Sequence, residues 1–104
     1  MEYHDFINGV NNGTIKKISF SVSDYSHYGN CIMESQYSNP NDENSSKIIW
    51  FYLTPDGYEK KGFLNKIKED TKLFCFKGKG TFTLKQLWNK IKINSVEYYF
   101  FSNE

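Results

Sequence analysis

The sequence predicts an α+β domain, with a mainly antiparallel sheet of about five or six strands and two helices packed against it. Three observations support this prediction: segments that alternate apolar and polar residues, helical spacing near both ends, and a high aromatic content. The chain has 104 residues, of which 18% are aromatic. Each aromatic side chain brings a large apolar area to bury, so we expect one compact domain over residues 1–104.

Helices are predicted near each end of the chain. Four apolar residues share one stripe of a short N-terminal helix: Tyr3, Phe6, Ile7 and Val10. The second helix is the stronger prediction, because Thr83 is a suitable N-cap for it. Its apolar stripe comprises Leu84, Leu87, Trp88 and Ile91.

Strands are predicted from alternation and from apolar runs. The segment ISFSVS at 18–23 alternates apolar residues with serine, and 31–37 alternates less regularly. The run IIWFYL at 48–53 is continuously apolar and ends at the turn TPDG, which predicts a central strand covered on both faces. The segments KLFCFK and SVEYYFF complete the set, whereas residues 60–68 fit a helical turn or a strand equally well.

Charge is distributed unevenly along the chain. The net charge is +1, but residues 1–46 carry six acidic residues against two lysines, and residues 47–104 carry eleven lysines against six acidic residues. Such a split is typical of a protein that binds an anionic partner or of one whose charged side chains form a solvated face. Arginine and alanine are absent. The chain therefore lacks the planar group that grips phosphate or guanine in a bidentate manner, and an AT-rich bacterial or phage gene is expected.

The sequence does not predict a catalytic or metal site. Cys31 and Cys75 lie among apolar neighbours, where we expect buried, inert thiols in a reducing compartment. Asp24 and His27 are close to Cys31 in sequence but match no nucleophile motif, and KGKGT at 77–81 lacks the lysine that follows the last glycine of a phosphate loop. No metal-ligand spacing is present. We therefore expect no cofactor and no bound metal.

The cellular location of the protein is predicted from its first residues and from the length of its apolar segments. The segment MEYHDFINGV is acidic and polar, unlike a secretion signal, and no segment has the ~20 apolar residues of a membrane span. We expect a cytoplasmic protein that has no membrane partner.

The function expected first is that of a non-enzymatic protein-binding module. Within that class, the short and aromatic-rich chain fits an immunity- or antitoxin-type inhibitor that occludes a toxin, such as a nuclease, in a bacterial or phage conflict system. Tyrosines in turn-like or solvated surroundings would anchor the partner, and nearby acids would attract a basic one. The residues expected to bind are Asp24, Tyr25, Tyr28, Glu34, Tyr37, Asp42 and Glu43.

Two alternatives come from other classes. A single-stranded nucleic-acid binder would use lysines interleaved with Phe63, Phe74 and Phe76, because stacking aromatics and lysines are the elements of such sites. Its lysines would be Lys60, Lys61, Lys66, Lys68, Lys77 and Lys79. A small cysteine-dependent enzyme is the less favoured alternative, and it requires a reactive Cys31.

Overall fold

The architecture is that of a small α+β fold, as the sequence predicts. A computed structural model describes residues 1–25, 28–37, 46–76 and 79–99, although not the side chains at 24, 37 and 46. Within these residues, the helices and strands in chain order are α1 Tyr3–Asn11, β1 Ile15–Val22, β2 Cys31–Tyr37, β3 Ser46–Leu53, β4 Glu59–Leu64, β5 Lys72–Phe76, β6 Gly80–Thr83, α2 Leu84–Leu87 and β7 Ile91–Tyr98.

The described strands form a five-stranded sheet and a separate hairpin. The order in the large sheet is β4-β3-β2-β1-β7, and every neighbouring pair is antiparallel. Strands β5 and β6 pair only with each other. The mainly antiparallel sheet is therefore confirmed, with β2 at its centre and β4 and β7 at its edges.

One face of the large sheet, the covered face, carries the hydrophobic core. Phe6 of α1 and Phe74 of β5 both contact Phe20 of β1, with ring centroids 5.7 and 5.8 Å apart. The helix and the hairpin therefore lie on the same side of the sheet. All three rings are at most 1% exposed, and Trp88, after α2, closes this layer against Phe6 at 5.4 Å. The opposite side is the open face.

The run at 48–53 is not a central strand covered on both faces. Its strand, β3, lies between β2 and β4, next to an edge. Ile48 and Tyr52 point to the covered face and are 2% and 3% exposed, whereas Leu53 on the open face is 49% exposed. The run is continuously apolar even though only one of its faces is covered by another layer.

The second helix begins where the sequence predicts and ends early. Thr83 Oγ1 accepts from the Gln86 amide at 3.2 Å, and the Thr83 amide donates to Gln86 Oε1 at 2.8 Å, which completes a capping box. After one turn, α2 tightens into a 3-10 turn, Trp88–Lys90, and Ile91 already belongs to β7. The N-cap prediction is confirmed, but the predicted helix is longer than α2, because 88–90 form the 3-10 turn and Ile91 starts β7.

The ambiguous segment 60–68 contains a strand and no helix. After β4, the chain is tied to the end of α1 through the amide side chain of Asn11. Asn11 Nδ2 donates to the Ile67 carbonyl at 2.9 Å, and the Ile67 amide donates to Asn11 Oδ1 at 2.8 Å. Ile67 is buried at this point, so the bonds to Asn11 hold the segment in extended form.

Candidate functional site

The open face carries a continuous set of apolar side chains on three adjacent strands, which we call the apolar patch. Side chains alternate between faces along a strand, and residues paired across strands point to the same face. The pairs Ile49 with Phe63 and Ile32 with Phe51 therefore share the open face. The patch comprises Ile32 on β2, Ile49, Phe51 and Leu53 on β3, and Phe63 on β4.

The two most exposed members of the apolar patch are Phe63 on the edge strand and Leu53 at the end of β3. Ile49 is 8% exposed, Leu53 is 49% exposed and Phe63 is 65% exposed. Ile32 and Phe51 are half-buried. No described helix or strand covers this face, so these side chains present a water-facing apolar surface of a kind that monomers rarely leave without a use.

Charged side chains surround the apolar patch. Glu34 lies beside Ile49 and pairs with Lys17, with Nζ and Oε1 3.8 Å apart. Lys61 lies beside Phe51, and its Nζ is 5.9 Å from the centre of the Phe63 ring. An apolar centre with a charged rim is the general composition of a protein-docking surface.

Two predicted binding tyrosines belong to the core layer. Tyr28 is 9% exposed, and its ring meets Tyr52 at 6.2 Å and Phe76 at 4.9 Å. Tyr25 stacks on Phe76 at 3.8 Å with an interplanar angle of 5° and is half-buried. The expectation of solvated surroundings is wrong for Tyr28, because its ring packs against Phe76 of the hairpin.

The predicted acidic residues are only partly described. Glu34 lies on the open face, where Lys17 already pairs with it. The side chains of Asp24 and Tyr37 lie outside what the structure describes, as do the whole of Asp42 and Glu43. The structure therefore brings Tyr25 and Tyr28 together at 6.4 Å but does not place an acidic cluster beside them.

The lysines of the nucleic-acid alternative lie on three different parts of the fold. Lys60 and Lys61 are on β4, Lys66 donates to the Asn11 carbonyl at the end of α1, and Lys79 follows β5. Lys68 is exposed between β4 and β5, and Lys77 lies outside the described residues. Of the interleaved aromatics, Phe74 and Phe76 are 1% and 3% exposed, so only Phe63 is available for stacking.

The two cysteines have different environments. Cys31 is 4% exposed, and burial raises the pKa of its thiol far above the ordinary range. Cys75 is exposed, contrary to the expectation of a buried thiol. Residue 27, the histidine expected to activate Cys31, lies outside the described residues. A thiol held in its protonated form in the core is a poor nucleophile.

Cys75 borders an open recess of about 600 Å³ between the β3–β4 turn and β5. Its other lining residues include Tyr58, Lys60 and Asp56. The backbone of Cys75 is held by Tyr52, whose hydroxyl accepts from the Cys75 amide at 3.0 Å and donates to its carbonyl at 3.2 Å. Burial raises the pKa of Tyr52, so this hydroxyl remains a donor at neutral pH. The recess holds one carboxylate, that of Asp56, and no described histidine.

The described part of the glycine-rich run, residues 79–81, belongs to the hairpin of β5 and β6. Strands β5 and β6 pair from Phe76 opposite Gly80, and the Lys79 amide donates to the Phe76 carbonyl at 2.9 Å. Gly80 has a φ of +99°, a conformation that favours glycine. Among the described residues, no three potential ligands converge to hold a metal ion.

The sequence interpretation missed the apolar patch, although a signal for it was present. In the run at 48–53, Ile49, Phe51 and Leu53 alternate with the three residues that face the core. On the next strand, Phe63 and Lys61 share this open face. The continuous apolar run therefore indicated that its strand has two apolar faces. The lysines on the next strand indicated that one of these faces remains in solvent.

Comparison with protein-family models, with curated proteins and with solved structures finds no match to this chain. The longest helix in the described part of the chain, α1, has nine residues, and no helix there has the length and apolar character needed to cross a bilayer. Function is therefore inferred from the surface itself.

Proposed function

We propose that this chain is a non-enzymatic protein-binding module that docks on its partner through the apolar patch. The observation that carries the proposal is the exposure of Phe63 at 65% and Leu53 at 49% on one continuous apolar surface. Covering such a surface releases about 25 cal/mol for each Å² of apolar area removed from water. The charged rim at Lys17, Glu34 and Lys61 gives the contact orientation and specificity.

The chemistry of the apolar patch favours a protein over a nucleic acid. Three of its five members, Ile32, Ile49 and Leu53, are aliphatic and offer no ring on which a base can stack. Glu34 and Glu59 lie on the same face and repel phosphates. The observation in favour of the nucleic-acid alternative is the placement of Lys61 over the exposed Phe63 ring, which makes this alternative the second candidate.

The finer part of the proposal is an immunity- or antitoxin-type inhibitor that covers the active surface of a toxin. It rests on the sequence: a short, aromatic-rich chain without a catalytic motif. Two of the residues first expected to bind, Tyr25 and Tyr28, support the core layer, so the proposed contact moves to β3 and β4. Occlusion needs a rigid surface and no chemistry, and a sheet face that packs a core on its other side supplies one.

The test compares two double variants as bait in lysate of the source cells. Leu53→Ser with Phe63→Ser removes the two most exposed members of the apolar patch. Tyr58→Ser with Tyr98→Ser removes two other exposed aromatics, which are 71% and 50% exposed and lie off the patch. Circular dichroism and urea unfolding first establish that both variants fold.

We expect the recovery of a protein that cross-links to the wild-type chain to fall at least ~10-fold with the patch variant. Its recovery with the control variant should stay unchanged. Loss with both variants, or with neither, contradicts docking through the patch. If single-stranded oligonucleotides instead bind at low salt, with an affinity that decreases log-linearly as salt rises and that requires Phe63, the second candidate replaces the first.

A further inference from the structure

The outer edge of β4 borders the apolar patch and differs from the other edge of the sheet. Strand β4 pairs with β3 over six consecutive residues without a register shift. Strand β7, the opposite edge, has two shifts in its register with β1. Irregular strands bend and twist an edge away from further pairing, whereas a regular strand presents unpaired N–H and C=O groups in line. Among the described strands, none pairs with the outer edge of β4.

The exposure of Phe63 shows what is missing at this edge. Phe63 and Ile49 lie side by side in one row across the open face. Ile49 has a neighbour on each side, Phe63 and Glu34, and is only 8% exposed although no layer covers it. Among the described residues, Phe63 has a neighbour in this row on one side only, and it is 65% exposed. One more strand beside β4 would give Phe63 the second neighbour that Ile49 already has.

The charge of this edge defines the chemistry of the strand that fits it. Lys60 and Lys61 are consecutive, so one projects on each face of β4. Both are exposed, and neither lies within 4.0 Å of a carboxylate among the described residues. A second copy of this chain would bring two more lysines to the same short edge, which disfavours self-pairing. A strand with acidic residues opposite Lys60 and Lys61 forms a favourable charge pair with each lysine.

We infer that the partner contributes an extended acidic segment that pairs with the outer edge of β4, and this inference rests on the proposed function. In the antiparallel sense of the rest of the sheet, the segment places an apolar residue opposite Phe63 and two successive acidic residues opposite Lys61 and Lys60. The residue that separates the apolar residue from the acidic pair lies opposite Gly62, where Trp50 of β3 fills the space. Backbone bonds supply affinity, and the alternating side chains supply specificity.

The experiment uses the full chain labelled with ¹⁵N and two synthetic ten-residue peptides. One peptide alternates valine and threonine around two successive glutamates, and the other has lysines in place of the glutamates. We expect the acidic peptide to shift the amides of β4 and to bind at least ~10-fold more tightly than the basic one. The variant K60E/K61E should reverse this order, which tests pairing at the two lysines directly.

Several outcomes overturn the inference. These are equal binding of both peptides, shifts that map to β7 or the recess beside Cys75, no shift at about 1 mM peptide, and a dimer of the wild-type chain joined through β4. The proposed function fails separately. If lysate capture still depends on Leu53 and Phe63 while K60E, which lies outside the charged rim, leaves it unchanged, docking through the face stands and only the strand pairing is wrong.

Discussion

The indole of Trp50 lies directly over Gly62 on the neighbouring strand, so that a Cβ placed on Gly62 would be 2.5 Å from Trp50 Cζ2. The two residues are register partners on β3 and β4. Only a residue without a side chain permits this approach. The indole, which also stacks on Tyr52 at 5.9 Å, thereby closes the covered face up to the sheet edge.

Gly62→Ala should lower the free energy of unfolding by about 1–3 kcal/mol, because the new methyl group must displace the Trp50 ring. This outcome opposes the usual gain of roughly 0.5–1 kcal/mol when alanine replaces glycine inside a strand. Urea unfolding followed by circular dichroism measures the difference. Lys60→Ala, at an exposed position on the same strand, is the control and should change stability by less than about 0.5 kcal/mol.

A second variant identifies the cause of the Gly62→Ala effect. In a Trp50→Leu background the obstructing ring is absent, so adding Gly62→Ala should cost little or even stabilise the protein. The two substitutions should therefore be non-additive by at least about 1 kcal/mol. Additive effects, or a Gly62→Ala protein as stable as wild type, would show that the indole moves away freely.

Much of the fold could be predicted from the sequence because local patterns determined it. The alternation at 18–23, the helical stripe that includes Phe6, and the N-cap at Thr83 each depend on neighbours in sequence. The position of β3 next to an edge could not be predicted, because it depends on β7 returning to pair with β1 at the far side of the sheet. A continuous apolar run does not reveal which of its faces stays in solvent.

The candidate site was harder to predict for the same reason. Tyr28 follows a polar, turn-like stretch, and only the hairpin that packs against it shows that the residue is buried. Cys75 has apolar neighbours in sequence, but its side chain points away from the core that Phe74 and Phe76 enter. Successive residues of a strand point to opposite faces, so a difference of one position separates surface from core. The sequence pattern alone does not resolve that difference.

Native-state thiol labelling should modify Cys75 and spare Cys31. Cys75 is exposed, whereas Cys31 is 4% exposed with a thiol pKa raised by burial. Because the thiolate is the reactive form, we expect iodoacetamide at pH 8 to label Cys75 at least ~100-fold faster. Mass spectrometry of proteolytic fragments measures the two rates, and protein unfolded in guanidinium, in which both cysteines label, is the control.

The labelling result also bears on the enzyme alternative. A cysteine-dependent enzyme needs a thiol that reacts in the folded state and is activated by a nearby base. Rapid labelling of Cys31 in the native protein would revive that alternative and contradict the buried geometry. Labelling of Cys75 alone would place the reactive thiol at the recess lined by Asp56 and Lys60, and not in the core beside Phe20.

Stability should decrease at alkaline pH because of Cys31. Burial raises its pKa in the folded state, while the unfolded chain titrates near the ordinary value of about 8.5. The contribution of Cys31 to the free energy of unfolding is therefore fully present below about pH 8.5 and is lost above it. Above that pH, the unfolded chain releases a proton that the folded chain retains. The expected slope is about 1.4 kcal/mol for each pH unit. Tyr52, with its pKa also raised by burial, adds the same sign above about pH 10.

Urea unfolding at intervals between pH 7 and 9.8 tests this slope in three proteins. Cys31→Ala should be less stable at pH 7 because of the cavity it leaves, but its stability should fall less steeply above pH 8.5. Cys75→Ala removes the exposed thiol, is the matched control and should keep the wild-type slope. Parallel curves for wild type and Cys31→Ala would show that Cys31 ionises in the folded protein, against its burial between Phe20 and the hairpin.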